Sequence, residues 1–447
     1  MRVAVIGAGI VGVTTAWELA ADGHEVTVYE RCGSVAAEGS FANAGIVAPG
    51  YGGAWGPLVS THGAATQLFG ANGSARLAPR LDVAAWRWLW RQRRARRAHG
   101  HAARALQLQR LAHYSRERLR SLTGELGLSY ERADGCLVLL RHARDLAEAQ
   151  PLLQALADSG TRHEVVDPLQ CRRIEPGLNP DAPLHAGIHL PDGESGNCRQ
   201  FAHLLRVQAQ QRGAQFRFHS RVESLGAGAP PSLVHVHAPP EESTVVTPAE
   251  GSPGDGPLTQ PLPFEPITER HDAIVVCAAL DARALLRPLG VRVPLAPVYG
   301  HSVTAPLRHY ESHPDIGPRS AVIDERFRVA VSRIGQRVRV AGGAQLGGDP
   351  SALDARTVDR LYQVLDDWFP GVAHRGHAQR WKGARPMLPD SLPVVGASGA
   401  PGVWLNLGHG ASGWTLACGS ARLLADALAG RASVFDGAAA LGIERLR

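Results

Sequence analysis

The sequence predicts an α/β fold built of two domains, and three observations predict it. The chain opens on a short apolar run, a glycine-rich turn, an amphipathic stretch and a second apolar run. Residues 403 to 430 repeat the first three of these, and between them strand-like segments such as CLVLL, AVIDE, VAVS and RVRVA alternate with helical ones. Strand, turn, helix, strand is the pattern of a parallel, Rossmann-like sheet, whereas short β-rich runs joined by tight turns signal a mixed or antiparallel one. At 447 residues the chain exceeds what a single core usually serves. The Rossmann-like domain is expected from the discontinuous segments 1–80, 190–225, 271–290 and 377–447, and an α+β domain from 81–189 and 291–376.

The first unit carries its own chemistry. Val3 to Ile6 form a strand, and GAGIVG follows: Gly7 for a tight turn, Gly9 so that backbone approaches a pyrophosphate, Gly12 so that helix and strand pack closely. Ile10, Val13, Trp17 and Ala20 then recur at helical spacing until Gly23 ends the helix. Phosphates suit the start of such a helix, where unpaired N–H groups and the macrodipole favour anions. The second strand, EVTVYE, ends at Glu30, 18 residues after Gly12, where a carboxylate can accept hydrogen bonds from ribose hydroxyls. The whole pattern predicts a dinucleotide site and argues against NADP, but it does not separate FAD from NAD.

That separation comes from the next stretch. Gly39 to Ala75 contains no Asp, Glu, Lys or Arg, and it includes SFANAGIVAPGY. A chain of small, uncharged residues can lay its N–H groups along a pyrophosphate and ribityl chain and pass a flat ring without colliding with it. Such a buried extension suits a cofactor that stays bound, hence FAD.

At the far end, Val403 to Leu407 form a strand, Gly408, Gly410 and Gly413 a turn, and an apolar helix runs on to Gly430. A helix N-terminus placed under a flavin stabilises the negative charge gained on reduction.

Composition excludes several classes. With 44% hydrophobic and 20% charged residues the chain reads as neither disordered nor membrane-embedded. The N-terminus is interrupted by glycines and reads as mature structure rather than a signal peptide, and no unbroken apolar run reaches spanning length. Six cysteines without a CxxC pair point to a reducing, cytoplasmic setting, and no HExxH motif suggests a metal site. The net charge of +6 is partly concentrated between Trp86 and Arg120. One reading is a solvated helix with Trp86, Leu89 and Trp90 turned inward; the other is peripheral attachment to the inner face of an anionic membrane. No nucleic-acid-binding motif accompanies the basic stretch.

GAGIVG and SFANAGIVAPGY, together with LAHYSRERL (111–119), LPDGESGNC (190–198), GHSVTAP (300–306), DERFRVAVSR (324–333), GARPMLPD (383–390) and NLGHGASGWTLACG (406–419), carry a resemblance over nearly the whole chain. The sequence resembles the FAD-dependent amino-acid oxidoreductases of the D-amino-acid oxidase superfamily, with the small subunits of bacterial D-amino-acid dehydrogenases as the nearest family. The resemblance implies an FAD-binding domain and a substrate domain with the site between them, and non-covalent FAD, since the positions around Asn43 and Gly383 hold neither His nor Cys. Expected cofactor contacts are Gly7, Gly9, Ile10, Val11, Gly12, Glu30 and Arg31; Ser40, Asn43, Ala44 and Gly45; Val222 and Ala278; and Gly410, Ala411, Ser412, Gly413, Trp414 and Thr415. Arg385 is expected to hold the substrate carboxylate, because guanidinium matches it with two parallel hydrogen bonds. Arg333 is the second candidate, Tyr51 a lid, and Tyr299 and His301 pocket walls. No acid or base is assigned.

The chain also departs from the pattern. Ala279 stands where the family has Gly, and Tyr299 and His301 where close relatives carry Lys and Tyr. Residues 226–270 are a Pro/Gly-rich insertion, read as largely disordered. The expected activity is oxidation of D-amino acids, with electrons leaving to a quinone or similar respiratory-chain acceptor. Oxidation of glycine, sarcosine or another secondary amine on the same scaffold, and a non-catalytic, membrane-docked flavin-binding subunit, stay open as alternatives.

Overall fold

The computed structural model describes residues 1–51, 75–78, 82–98, 100–237, 265–308 and 316–446. Most of the uncharged run, and the centre of the insertion, lie outside these.

A six-stranded sheet runs in the order Val394–Ala397, Val403–Leu407, Ala273–Val276, Arg2–Ile6, Glu25–Tyr29, Gln215–Arg217. All pairings are parallel except that of Val394–Ala397 with Val403–Leu407. The central strands are buried on both faces, as a sheet covered by helices requires. Helix Ile10–Ala21 packs on it through Ile10, Val13, Trp17 and Ala20, all buried as their spacing predicts. Helix Gly413–Leu428 lies beside it, and Thr14 Oγ1 reaches the Ala417 carbonyl at 3.2 Å. Glu18, fully buried between these helices, accepts from Arg118 at 2.7 and 3.0 Å and from Arg422 at 2.8 Å. Three helices are thereby tied together by one carboxylate.

The second sheet has ten strands. Its main path is Gln379–Met387, Ala296–Pro306, Arg337–Leu346, Val329–Ile334, Ala321–Asp324, Ala133–Leu140, Ala186–Ser195, Ile46–Val47. The four strand-like segments read from the sequence all fall in it. So do Ile46–Val47, residues 190–195 and Gln379–Met387, which the sequence reading gave to the Rossmann-like domain. The glycine-rich motifs around them suggested proximity to the cofactor, but their backbone hydrogen bonds go to the other sheet.

Two further expectations need correction. The insertion is structured at both ends: Ser232–His237 pairs with Ser220–Gly226 and with Ile267–Arg270, making a three-stranded antiparallel sheet. The alternation in SLVHVH is a strand signal that the surrounding prolines and glycines obscured. Its centre, 238–264, lies outside the described residues. In the basic region, two helices, Val83–Arg97 and His101–Leu126, are separated at Gly100, whose φ is +95°. Trp88 is turned inward, its Nε1 donating to the Met387 carbonyl at 3.2 Å, and Leu89 packs part-buried beside it as expected, while Trp86 and Trp90 are 59% and 62% exposed. Residues one turn apart share a face, so Trp86 and Trp90 go out together.

Candidate active site

Three loops leave the carboxyl edge of the parallel sheet side by side, after Ile6, Val276 and Leu407, and open sheets place their ligands at such an edge. A cleft of about 520 Å³ lies there, within the range of cofactor and substrate sites.

Its floor is the first glycine turn. Gly7 has φ +97°, and a Cβ on it would sit 2.9 Å from the Cys277 carbonyl oxygen. Gly12 does not line the cleft; a Cβ there would sit 1.8 Å from the Gly7 carbonyl oxygen, so its task is the close packing expected of it. Gly9, Ile10 and Val11 line the cleft, and a Cβ on Gly9 would meet only Ser40 Oγ, at 3.7 Å. Space beside Gly9 is thus kept for something other than protein. Ser40 Oγ accepts from the Ile10 N–H at 3.1 Å, a polar oxygen already seated at the helix start.

Glu30 lines the same cleft, its two carboxylate oxygens accepting from the N–H groups of Ala8 (2.6 Å) and Cys32 (2.8 Å). Carboxylate oxygens have further lone pairs for ribose hydroxyls. Arg31 is held by Glu38 and by Asp281, the latter at 2.7 Å. Val222 and Ala278 close this end. Ala279 adopts φ +45°, which accounts for glycine at this position in the family pattern.

The loop Ala42–Ile46 lies along the cleft wall, its carbonyls bonded to the ten-stranded sheet. Opposite, Gly410 to Thr415 line the cleft at the start of helix Gly413–Leu428. Gly408 and Gly410 have φ of +82° and +56°, and a Cβ on either would strike Leu388 or Met387. The turn therefore favours glycine at these two places. Two helix N-termini, an acidic side chain at the ribose end and a small-residue wall between them fit an extended FAD.

Arg385 reaches the same cleft from the ten-stranded sheet. It lines the cleft part-buried, with Nη1 donating to the Gly343 carbonyl at 2.7 Å. Burial lowers its pKa to about 10, so it stays charged at neutral pH. Tyr299 and His301 also line the cleft. His301 Nε2 accepts from the Asp354 N–H at 3.2 Å, and burial, with Lys382 nearby, lowers its pKa to about 4: the imidazole is neutral.

Tyr51 lines the cleft wall. It is 2% exposed and its hydroxyl donates to Glu325, a bond that holds the ring in place. Arg333 stays out of the cleft, its Nε donating to the Gly335 carbonyl at 3.2 Å across its own hairpin turn.

Sequence reasoning missed Trp381, Lys382 and His409, all of which line the cleft. Lys382 donates to the carbonyls of Asp349 (2.6 Å) and Ala352 (2.8 Å) and sits 4.6 Å from the Tyr299 ring centroid. His409 shares a 2.9 Å hydrogen bond with Ser420 Oγ, and burial lowers its pKa to about 3. His409 stands inside the motif NLGHGASGWTLACG and Lys382 immediately before GARPMLPD, which was the available signal. Among the described residues, no group of three or more His, Cys, Asp or Glu is arranged to hold a metal ion.

Comparison with known proteins bears on the same site. Curated relatives include D-amino acid dehydrogenases from Cereibacter sphaeroides, 37% identical over 447 residues, covering 100% of this chain and 95% of the relative. One from Bradyrhizobium diazoefficiens is 36% identical and covers 100% and 99%. Among solved structures, glycine oxidase from Geobacillus kaustophilus superposes with a TM-score of 0.71 at 18% identity, covering 99% of this chain and 98% of that one. The L-amino acid deaminase from Proteus myxofaciens in complex with anthranilate does so with 0.68 at 15%, covering 100% and 93%. At such identities the structural likeness shows the fold. The model of the FAD dependent oxidoreductase family matches residues 2–427, from the first strand to the end of the last helix, and the chain belongs to that family.

Proposed function

We propose that this enzyme is a D-amino-acid dehydrogenase, oxidising D-amino acids to 2-oxo acids and ammonia. The six-stranded sheet serves FAD and the ten-stranded sheet the substrate. The observation that carries the reading is Arg385, a part-buried guanidinium on the ten-stranded sheet that opens into the cleft lined by Glu30 and the glycine turns. The full-length relatives named D-amino acid dehydrogenase support the substrate class.

When bound in this cleft, FAD would supply the acceptor for a hydride from the substrate Cα, and the imino acid would then take up water to give the 2-oxo acid and ammonia. Arg385 pairs with the substrate carboxylate in a site shielded from water, where a charged hydrogen bond is strong. That pairing sets which Cα–H faces the cofactor. The start of helix Gly413–Leu428 stabilises negative charge gained on reduction. Trp381, Tyr299 and neutral His301 shape the wall. No side chain is required to take a proton if the amine binds neutral.

Anaerobic mixing with amino acids tests the reading. D-amino acids should bleach the flavin absorbance far faster than L-amino acids, glycine or sarcosine; preference for glycine or sarcosine would move the enzyme to the glycine/sarcosine-type oxidases, and no bleaching by any of them would favour a binding subunit. Arg385→Leu should keep its flavin and lose on the order of 3 kcal/mol of transition-state binding.

The electron acceptor is a quinone or similar carrier at the membrane surface. Trp86 and Trp90, exposed beside Arg87, Arg91, Arg93 and Arg94 on one helix, support that reading, since tryptophan with arginine suits a lipid headgroup boundary. Trp86→Ser with Trp90→Ser should abolish sedimentation with anionic vesicles and leave reduction by D-amino acid unchanged. Unchanged sedimentation would remove the helix from this role.

A further inference from the structure

Three consecutive carbonyls of the flavin loop are bonded to side chains from one face of the ten-stranded sheet. Ser302 Oγ donates to the Ala42 carbonyl at 2.8 Å, Arg339 Nη1 to Asn43 at 3.0 Å, and Ser332 Oγ to Ala44 at 2.7 Å. The register puts Thr304 and Ser332 on either side of Arg339, and Ser302 two residues from Thr304, so all share a face. In a planar trans peptide a carbonyl and the following N–H point in opposite directions. With the carbonyls of residues 42, 43 and 44 drawn to the sheet, the N–H groups of Asn43, Ala44 and Gly45 turn away from it, on the side where this loop lines the cleft. Gly45 N–H is taken by Asn43 Oδ1 at 3.0 Å. Those of Asn43 and Ala44 remain for the cofactor.

Arg339 is also unusual as a charge. It is 5% exposed, its Nε donates to Thr304 Oγ1 at 2.9 Å, and among the described residues it forms no ion pair. Glu131, an acid in its field, is paired with Arg337 at 2.9 Å. Burial and Arg337 lower its pKa to about 10, which still leaves it charged at neutral pH. A buried cation without a carboxylate costs stability, and hydrogen bonds to two neutral oxygens would be met as well by an uncharged donor.

We propose that Arg339 is a positioning and electrostatic residue of the FAD site: it turns the Asn43 and Ala44 N–H groups toward the isoalloxazine and keeps a buried positive charge behind them, favouring the reduced, negatively charged cofactor. Oriented dipoles backed by a charge in a dry site act without reorganising when the electrons arrive. The inference concerns the cofactor alone and does not depend on which amine is oxidised.

Sulfite provides the test, because it adds to oxidised isoalloxazine and leaves it negatively charged, with no amino acid involved. In the FAD-loaded protein, Arg339→Met should raise the sulfite dissociation constant at least tenfold. It should also lower the two-electron midpoint potential correspondingly, about 30 mV per factor of ten. Arg339→Lys, which keeps the charge, should stay within threefold of wild type. Wild-type sulfite affinity in Arg339→Met overturns the proposal, as does an equal loss in both variants. Should Arg339→Met fail to fold, Ser332→Ala carries the test by releasing the Ala44 carbonyl: a rise of about threefold supports the alignment of the N–H groups, and an unchanged constant overturns it.

Discussion

Gly300→Ala tests the carboxylate clamp without altering Arg385 itself. Gly300 lies opposite Gly383 and Val298 opposite Arg385 in the strand pair Ala296–Pro306 and Gln379–Met387. The guanidinium folds back across the missing side chain: an ideal Cβ on Gly300 would sit 2.2 Å from Nη2, 2.5 Å from Cζ and 3.1 Å from Nε. Non-bonded carbon contacts settle near 3.5 Å, so the guanidinium must move by about 1 Å. The obstacle is the end of a flexible side chain, and the sheet keeps its pairing at little cost in stability. What changes is alignment, and a displacement of about 1 Å in a positioning group can cost about a hundredfold in rate. That corresponds to about 2.7 kcal/mol. Gly300 itself does not line the cleft, so flavin content should be unchanged. Stopped-flow flavin reduction against D-amino-acid concentration should show kcat/KM lowered about 100-fold at full FAD occupancy. Wild-type efficiency at full occupancy would refute the assignment of Arg385 as carboxylate holder.

Gly9→Val should fold normally and lose FAD, because its Cβ would meet protein only at Ser40 Oγ, 3.7 Å away; a variant that purifies yellow with stoichiometric FAD contradicts the pyrophosphate site. Ala279→Gly should stabilise the protein by about 1 kcal/mol in chemical denaturation, since φ +45° strains alanine by more than the chain entropy glycine adds; a destabilised variant would show that the methyl packs usefully. His409 is neutral in the fold, with a pKa near 3 against an ordinary 6.5, so its stabilising contribution is complete above pH 6.5 and is lost as pH falls toward 3. At pH 5 the loss is about 2 kcal/mol, and His409→Gln should be spared it, so the stability difference between wild type and variant should shift by that amount between pH 8 and pH 5. A constant difference means that the imidazole is not held neutral. Replacing only residues 239–264 by a short Gly/Ser link should leave flavin content and turnover near wild type, whereas removal of 228–268 also deletes strand Ser232–His237 and half of Ile267–Arg270, and so loosens Glu269, whose carboxylate accepts from Tyr29 Oη at 2.8 Å beside the cleft. Equal behaviour of the two deletions would mean that the three-stranded sheet does not support the cofactor.

The dinucleotide unit was legible from the residues because its signals are local. Gly7 needs its positive φ, Gly12 its close approach, and Glu30 its place at a strand end, and all three demands fall within one strand-turn-helix-strand stretch. The second glycine turn was legible for the same reason, glycine being favoured at 408 and 410 by the positive φ of the backbone and by the nearness of Leu388 and Met387. Arg385 was found through its motif, but nothing local distinguishes it from Arg333. The two were separated only when strand pairing sent one guanidinium into the cleft past Gly300 and the other back onto its own turn. Trp86 and Trp90 are as plausible an inward pair as Trp88 and Leu89, which actually pack on the core, because helical spacing gives a face but not the direction of its partner. Arg339 carried no signal at all. Its role depends on Ser302, Thr304 and Ser332, on two neighbouring strands, meeting a loop nearly three hundred residues earlier in the chain. Backbone conformation and glycine demands are set by adjacent residues, and the sequence alone determined those; which side of each element faces cofactor, substrate or solvent is set by long-range register, and only the tertiary structure decided that.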